Sequence, residues 1–412
     1  MKKRATAILL CLALALSMSG VLAGCGAEQG ADLMDGVKAA APSGALTSDG
    51  SAAATEFGVR LFQQGVLEDK NVLISPLSVL CALAMASNGA KGETRAQMET
   101  VFGMNIEDLN GYLCAYLKQL PQGETYKLSL ANAIWFKDTP SFAVEPDFLQ
   151  INANYYGAGL YKAAFDEATR DEINDWVEKN TDGMIKNILD KIPKEAVMYL
   201  VNALAFDAEW QIIYKEDQIR NGTFTKEDGT TQNVELMYSD ENRYLEDDRA
   251  TGFIKNYADG KYAFVALLPK EGVSVAEYAA SLTGEHLQTL LANPQQTTVQ
   301  TAIPKFESDY SVDLSSVLQR MGMKLAFGGG DLSGIGTSAE GPLAISRVLH
   351  KTYIAVDEKG TKAGAATAVE VNTECAIVSP ERKVILDRPF VYLIIDPNTN
   401  VPVFIGTVMD VG

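Results

Sequence analysis

The chain has 412 residues, with 35 Lys and Arg against 53 Asp and Glu, so its formal charge is −18. That balance excludes an ordinary nucleic-acid binder, which presents a basic face. Apolar residues at 47% and charged residues at 21% describe a globular chain rather than a disordered one.

The N-terminus reads as an address. Lys2, Lys3 and Arg4 precede an apolar run from Ala5 to Leu16. A positive start and a short apolar stretch make a secretory signal, too short for a membrane span. It ends in Leu22-Ala23-Gly24-Cys25, which resembles the lipobox of bacterial lipoproteins. There the cysteine carries lipid and becomes the new N-terminus. An ordinary signal peptide cut near Ala23, with Cys25 a bystander, is the alternative. On the lipoprotein reading residues 1–24 leave with three positive charges, taking −18 to −21. Residues 25–54 are then the lipidated Cys25 and a flexible tether rich in Gly, Ala, Ser and Asp. The chain would sit outside the cytoplasm, anchored to a membrane. Residues 55–412 carry no repeat and no second linker, so they are read as one domain.

Within that domain helices dominate the first part. Ser75 can cap, Pro76 suits a first helical turn, the apolar run Leu77 to Ala86 follows, and Gly89 is the expected stop. Two more helices are expected over Ile173–Lys179 and Leu314–Met321. Strands are expected over Leu128–Phe136, Met198–Phe206, Tyr262–Leu268 and Thr297–Phe306. Phe390–Ile395 and Val401–Met409, joined across Asp396-Pro397-Asn398-Thr399-Asn400, read as a terminal hairpin. The mixture is α+β, with helices segregated from large sheets.

A catalytic site is not legible. A hydrolase needs a nucleophile, a base and an orienting group, and no Gly-x-Ser-x-Gly elbow occurs. The two histidines are His286, in a polar helical stretch and expected to be solvated, and His350, among apolar neighbours and expected to be structural. Gly328-Gly329-Gly330 lacks the Lys-Ser/Thr of a phosphate loop. Five cysteines without a Cys-x-x-Cys pair give no zinc pattern. No enzyme, metal or cofactor is expected.

One segment stands out. Every second residue from Thr361 (Ala363, Ala365, Thr367, Val369, Val371, Thr373) is small, β-branched or apolar. The alternate positions, Lys362, Gly364, Ala366, Ala368, Glu370 and Asn372, hold every charge in the stretch. A period of two with one uncharged face is a half-buried strand. Its Ala/Gly-rich first half is a poor strand when alone. The pattern suits a segment that joins a sheet only under some condition; a plain edge strand or short helix is the other reading.

The chain resembles the serpin family over nearly the whole domain. The residues that carry the resemblance are Asn71-Val72-Leu73-Ile74-Ser75-Pro76-Leu77-Ser78, Gly89-Ala90-Lys91-Gly92-Glu93-Thr94 and Leu130-Ala131-Asn132-Ala133-Ile134-Trp135. Further along, Ile173-Asn174-Asp175-Trp176-Val177, Thr181-Asp182-Gly183-Met184-Ile185, Val201-Asn202-Ala203-Leu204-Ala205-Phe206 with Trp210, and Asp387-Arg388-Pro389-Phe390 continue it. Asp207-Ala208 departs from the Lys-Gly often found there.

The resemblance implies three β-sheets, about nine helices and an exposed reactive loop. It implies a suicide inhibitor of serine proteases: the cleaved loop inserts into the central sheet and traps the acyl-enzyme. A non-inhibitory serpin-fold protein, whose loop is cut without trapping, is the alternative. By the same resemblance Glu358, Gly360, Thr361, Ala363, Ala365, Ala366 and Thr367 form the loop hinge. Ser75, Ser78, Asn202 and His350 form a hydrogen-bonded shutter under the central sheet. Trp210 marks the breach where the loop enters, and Lys305 pairs with Glu358. Counting sixteen positions from Glu358 puts the reactive bond at Glu374–Cys375; shifts of one or three place Thr373, Cys375 or Ile377 before it. The implied targets are glutamyl-, elastase- or subtilisin-like proteases. Cys81 and Cys114 are read as buried thiols rather than a disulfide, and the protein as a monomer.

Overall fold

A computed structural model describes residues 30–40, 42–66, 70–120, 123, 126–361 and 382–412. The signal segment, Cys25, hinge residues Ala363, Ala365, Ala366 and Thr367, and the Glu374–Cys375 bond lie outside the described residues.

Nine α-helices and three sheets are present among them. The helix Pro76–Ser87 begins where Ser75 accepts from the Ser78 backbone N–H, and all of its residues are buried. A helix apolar all round belongs in the interior, and this one sits beneath the central sheet. Its chain cannot turn away with anything but glycine at 89. A Cβ there would lie 2.5 Å from the backbone nitrogen of Ile335.

The central sheet has seven strands, in the order Ala31–Asp32, Gly159–Ala163, Tyr126–Lys137, Met198–Glu209, Gly360–Thr361, Arg347–Val356 and Phe306–Asp313. The middle strand, Met198–Glu209, runs antiparallel to Tyr126–Lys137 and parallel to Arg347–Val356. Buried on both faces, it reads as a nearly unbroken apolar run. One face of it, with Leu204, Phe206 and Ala208, meets a nine-stranded sheet. The other, with Tyr199, Val201, Ala203 and Ala205, packs under the helix Glu167–Asn180. The third sheet is a ribbon of Ala143–Val144 and Gly336–Thr337.

Most expected elements are present, with their ends shifted. The strand expected over Thr297–Phe306 is two. Gln295–Pro304 belongs to the nine-stranded sheet and Phe306–Asp313 to the central one, with Lys305 between them bonding to Glu235. Helices Ser48–Gly65, Gly92–Phe102, Ile106–Gln119 and Pro146–Tyr156 were not legible in the sequence.

The tether is corrected from residue 30 onward. The Gly30 N–H donates to both carboxylate oxygens of Glu172, at 2.9 and 3.0 Å. Ala31 and Asp32 pair with Lys162 and Tyr161, and the Leu33 N–H reaches Leu160 O at 2.8 Å. Leu33, Met34 and Leu46 pack on the main core, and the helix from Ser48 starts inside the span expected to be linker. The physical reason is the edge strand Gly159–Ala163, whose unpaired backbone groups favour a partner strand. Three spaced apolar side chains then anchor a segment that looks like linker by composition.

Candidate functional site

Two clusters lie along the seam between Met198–Glu209 and Arg347–Val356. Over seven register pairs, from Arg347↔Tyr199 to Tyr353↔Ala205, these strands bond directly. His350 lies opposite Asn202, and both are wholly buried with Ser75 and Ser78. The Ser75 backbone N–H donates to His350 Nε2 at 3.2 Å. The imidazole proton therefore sits on Nδ1, which donates to Asn202 Oδ1. The Ser78 hydroxyl donates to the same oxygen at 2.8 Å. The Asn202 amide donates to Asn132 Oδ1, and Thr352 Oγ1 donates to Leu73 O at 2.7 Å. Burial pushes His350 down to about 3, so the ring is neutral and the network carries no charge. The four expected residues are brought together; Asn132 and Thr352 were missed. Asn132 stood within a quoted motif, but nothing in one sequence fixes cross-strand register.

Beyond Tyr353 the seam is already parted. Gly360–Thr361 fills it, pairing antiparallel with Glu209 and Ala208 on one side, while Thr361 faces Val356 on the other. Asp357 makes the turn possible: its carboxylate accepts from the Lys359 and Gly360 N–H groups at 2.8 and 3.1 Å. Only glycine fits at 360, since a Cβ would stand 2.0 Å from Ala208 O. Thr361 is fully buried, its hydroxyl 2.6 Å from Tyr257 OH. The hinge residues Gly360 and Thr361 thus form a two-residue strand in the parted seam, with Glu358 in the turn before it.

The expected breach surrounds this wedge. Trp210 stacks on Tyr257 with ring centres 4.4 Å apart, and its indole N–H donates to Asp357 O at 2.9 Å. Lys305 bonds Glu358 at 2.9 Å, as expected, and also Glu235 at 2.9 Å. Burial lowers the Lys305 pKa, but the hydrogen bonds it donates to the two carboxylates outweigh it and the net shift is upward. The Lys305 bond holds the Glu358 carboxyl below its ordinary value. A second lysine was missed. Lys255 is buried, bonded to Glu241 at 2.8 Å, and lies 4.5 and 5.5 Å from the ring centres of Tyr214 and Trp210. An alternating strand pattern gives no hint that a lysine faces inward.

The other candidates stay apart from this seam. His286, on the helix Gly284–Ala292, bonds Asp247 at 2.9 Å on an oxygen shared with Tyr278. Cys81 and Cys114 are free and buried, and burial pushes the Cys81 thiol up to about 12, so it is inert. Among the described residues no cluster of three or more metal-ligating side chains occurs, and no helix is long and apolar enough to cross a membrane.

A parted sheet with a hydrogen-bonded latch below it is the architecture the serpin resemblance implies, and comparison with known proteins agrees. The profile described as serpin (serine protease inhibitor) matches residues 52–411. The chain belongs to the serpin family. A serpin-like protein of Thermococcus kodakarensis is 33% identical over 368 residues, covering 87% of this chain and 85% of its own length. The leukocyte elastase inhibitor of Equus caballus is 31% identical, covering 86% of this chain and 98% of itself. Among solved structures, the thermophilic serpin tengpin in its native state superposes with a TM-score of 0.89 at 46% identity, covering 93% of this chain and all of tengpin's. Tengpin in its latent state gives a lower score, 0.80, at 45% identity.

Proposed function

We propose that this chain is a suicide inhibitor of serine proteases, which traps its target by completing the strand begun at Gly360–Thr361. The observation that carries the reading is the register of that wedge. Extended antiparallel from Thr361↔Ala208, the loop covers the whole of Met198–Glu209 and reaches its end with Val371 opposite Met198. Extended likewise from Thr361↔Val356, it puts Thr367 between Asn202 and His350. The Thr367 hydroxyl then replaces the partner each of them loses. Every residue on the Thr361 face is uncharged, as a strand passing between two apolar layers requires. Glu370, on the other face, comes between Tyr199 and Arg347. The reactive bond, Glu374–Cys375 by the family's count, lies three residues past the inserted strand. A dozen new hydrogen bonds at roughly 0.5–1.5 kcal/mol each supply on the order of 10 kcal/mol. That store makes the native state's persistence kinetic.

The targets we propose are glutamyl-, elastase- or subtilisin-like proteases, the first from Glu374. Support for the class comes from inhibitory relatives such as the protein named leukocyte elastase inhibitor. We further propose that lipid on Cys25 holds the protein at a membrane outside the cytoplasm. The support is the lipobox-like sequence alone.

The test is to mix the chain from Gly26 onward with each protease and read a denaturing gel. Starting at residue 55 would cut into the helix Ser48–Gly65. The reading expects an SDS-stable band at the summed mass with one protease, and a released C-terminal peptide that begins at Cys375. Cleaved chain alone, with every protease fully active, would favour the non-inhibitory alternative.

A further inference from the structure

A cavity of about 270 Å³ opens between the docked N-terminal segment and the open edge of the strand Tyr126–Lys137. It is lined by Asp32 and Met34 of that segment, Leu130 and Asn132 of the strand, Tyr156 and Tyr161, and Trp176 and Asn180 of the helix Glu167–Asn180, among others. The ladder with Gly159–Ala163 starts only at Ala133↔Gly159, which is why the edge before it is open. The volume falls just below the roughly 300–1,000 Å³ of drug-sized sites, so the occupant is small.

The aromatic groups are held in place before any ligand arrives. The Trp176 indole N–H donates to the Tyr161 hydroxyl at 2.9 Å, and Tyr161 stacks on Trp135 with ring centres 4.4 Å apart. The Tyr156 hydroxyl donates to Asn110 Oδ1, which is itself bonded to Asn88 at 3.1 Å. Burial, with the nearby carboxylates of Asp32 and Glu172, raises the Tyr161 pKa, so its hydroxyl keeps its proton. Among the described lining residues Asp32 is the one formally charged side chain. One of its oxygens accepts from the Met34 N–H at 2.8 Å, which fixes the carboxylate while leaving the second oxygen for a ligand. Three electron-rich rings beside a fixed carboxylate, with no cation in the lining, favour a positive guest with an apolar body.

The geometry points to a binding site for a small organic ammonium ion, with the charged head between Asp32 and the rings of Trp176, Tyr156 and Tyr161. A neutral guest of the same shape would gain the apolar contacts without the charge–ring and charge–carboxylate attraction, and an anion would meet Asp32 directly. The site stands independently of protease trapping. It depends instead on the N-terminal segment staying docked, since that segment supplies Asp32.

The test is calorimetric titration of the chain from Gly26 with choline and with its neutral isostere 3,3-dimethylbutanol, with tryptophan fluorescence read in parallel. Choline is expected to bind saturably, at least about tenfold more tightly than the alcohol, and to alter emission. Asp32→Asn, which keeps the oxygen that caps Met34, is expected to weaken choline binding about tenfold; Trp176→Leu is expected to weaken it and to remove the emission change. Equal affinity for choline and the alcohol, unchanged choline affinity in Asp32→Asn, or no saturable binding up to roughly 10 mM would each overturn the assignment. Asp32 is exposed and its replacement leaves the core intact, so the result does not hinge on whether Trp176→Leu folds.

Discussion

The two ends of one seam are held in opposite ways. At the Asn202–His350 end the strands touch, and a neutral, largely buried network of four side chains and a backbone N–H spans them. At the Trp210 end they are already apart, with Thr361 between them and a partly exposed ion pair, Lys305–Glu358, at the rim. Resistance to opening therefore resides at the lower end. Parting the lower seam strips partners from buried polar groups, each at roughly 1–3 kcal/mol. Extending the upper seam adds strand to a wedge that exists.

The largest effect is expected from stopping the wedge. Thr361→Arg puts a charge where the native residue is fully buried, and the buried, unpaired charge carries a large penalty. Trapping is expected to vanish while cleavage continues, read as cleaved chain without an SDS-stable band. Undiminished trapping by that variant would sink the insertion mechanism.

Next in size is the latch. Asn202→Ala leaves the His350 Nδ1–H without its acceptor and the Ser78 hydroxyl with only the Ser75 carbonyl, a cost of about 1–3 kcal/mol to the closed sheet. The native chain should melt lower and lose inhibitory activity faster on mild heating. Equal loss rates for Asn202→Ala and wild type would move the resistance elsewhere.

Acid probes the same end without a mutation. His350 binds a proton near its ordinary 6.5 when unfolded, and only near 3 when folded. Its contribution is therefore complete above about pH 6.5 and is lost as pH falls toward 3, at up to about 1.4 kcal/mol per unit. Denaturant melts across that window should show the slope, and His350→Gln should flatten it.

At the upper rim the effect should be small. Lys305→Ala is expected to cost only about 0–1 kcal/mol, because the pair is partly exposed. Smaller still in the native chain is Glu370→Ala, expected to leave the uncleaved melt unchanged. It should lower the melt of the cleaved form slightly, because Arg347 then loses a cross-strand partner. A native-state effect as large as that of Asn202→Ala would contradict the register.

Much of this was legible because periodicity marks local structure. Ser75-Pro76 announced a helix start; of the alternating segment only Thr361 lies among the described residues, and it is buried. The shutter set, the breach and the Lys305–Glu358 pair came from family resemblance, since no spacing rule brings residues 75, 202 and 350 together. What stayed hidden depends on tertiary partners. Lys255 is inward because Glu241, Tyr214 and Trp210 receive it. Asn132 matters because its strand pairs in register with Asn202. The N-terminal segment was misread because low-complexity composition conceals three apolar anchors, and the strand edge it joins is far along the chain, at Tyr161 and Lys162.

The most direct measurement compares melting of the intact chain with that of chain cut once in its reactive loop. Insertion of the strand from Thr361 to Val371 predicts a rise on the order of 10 °C, from roughly 10 kcal/mol of added stability. A cleaved chain that melts where the intact one does would contradict the stored-strand account, whatever the proteases do.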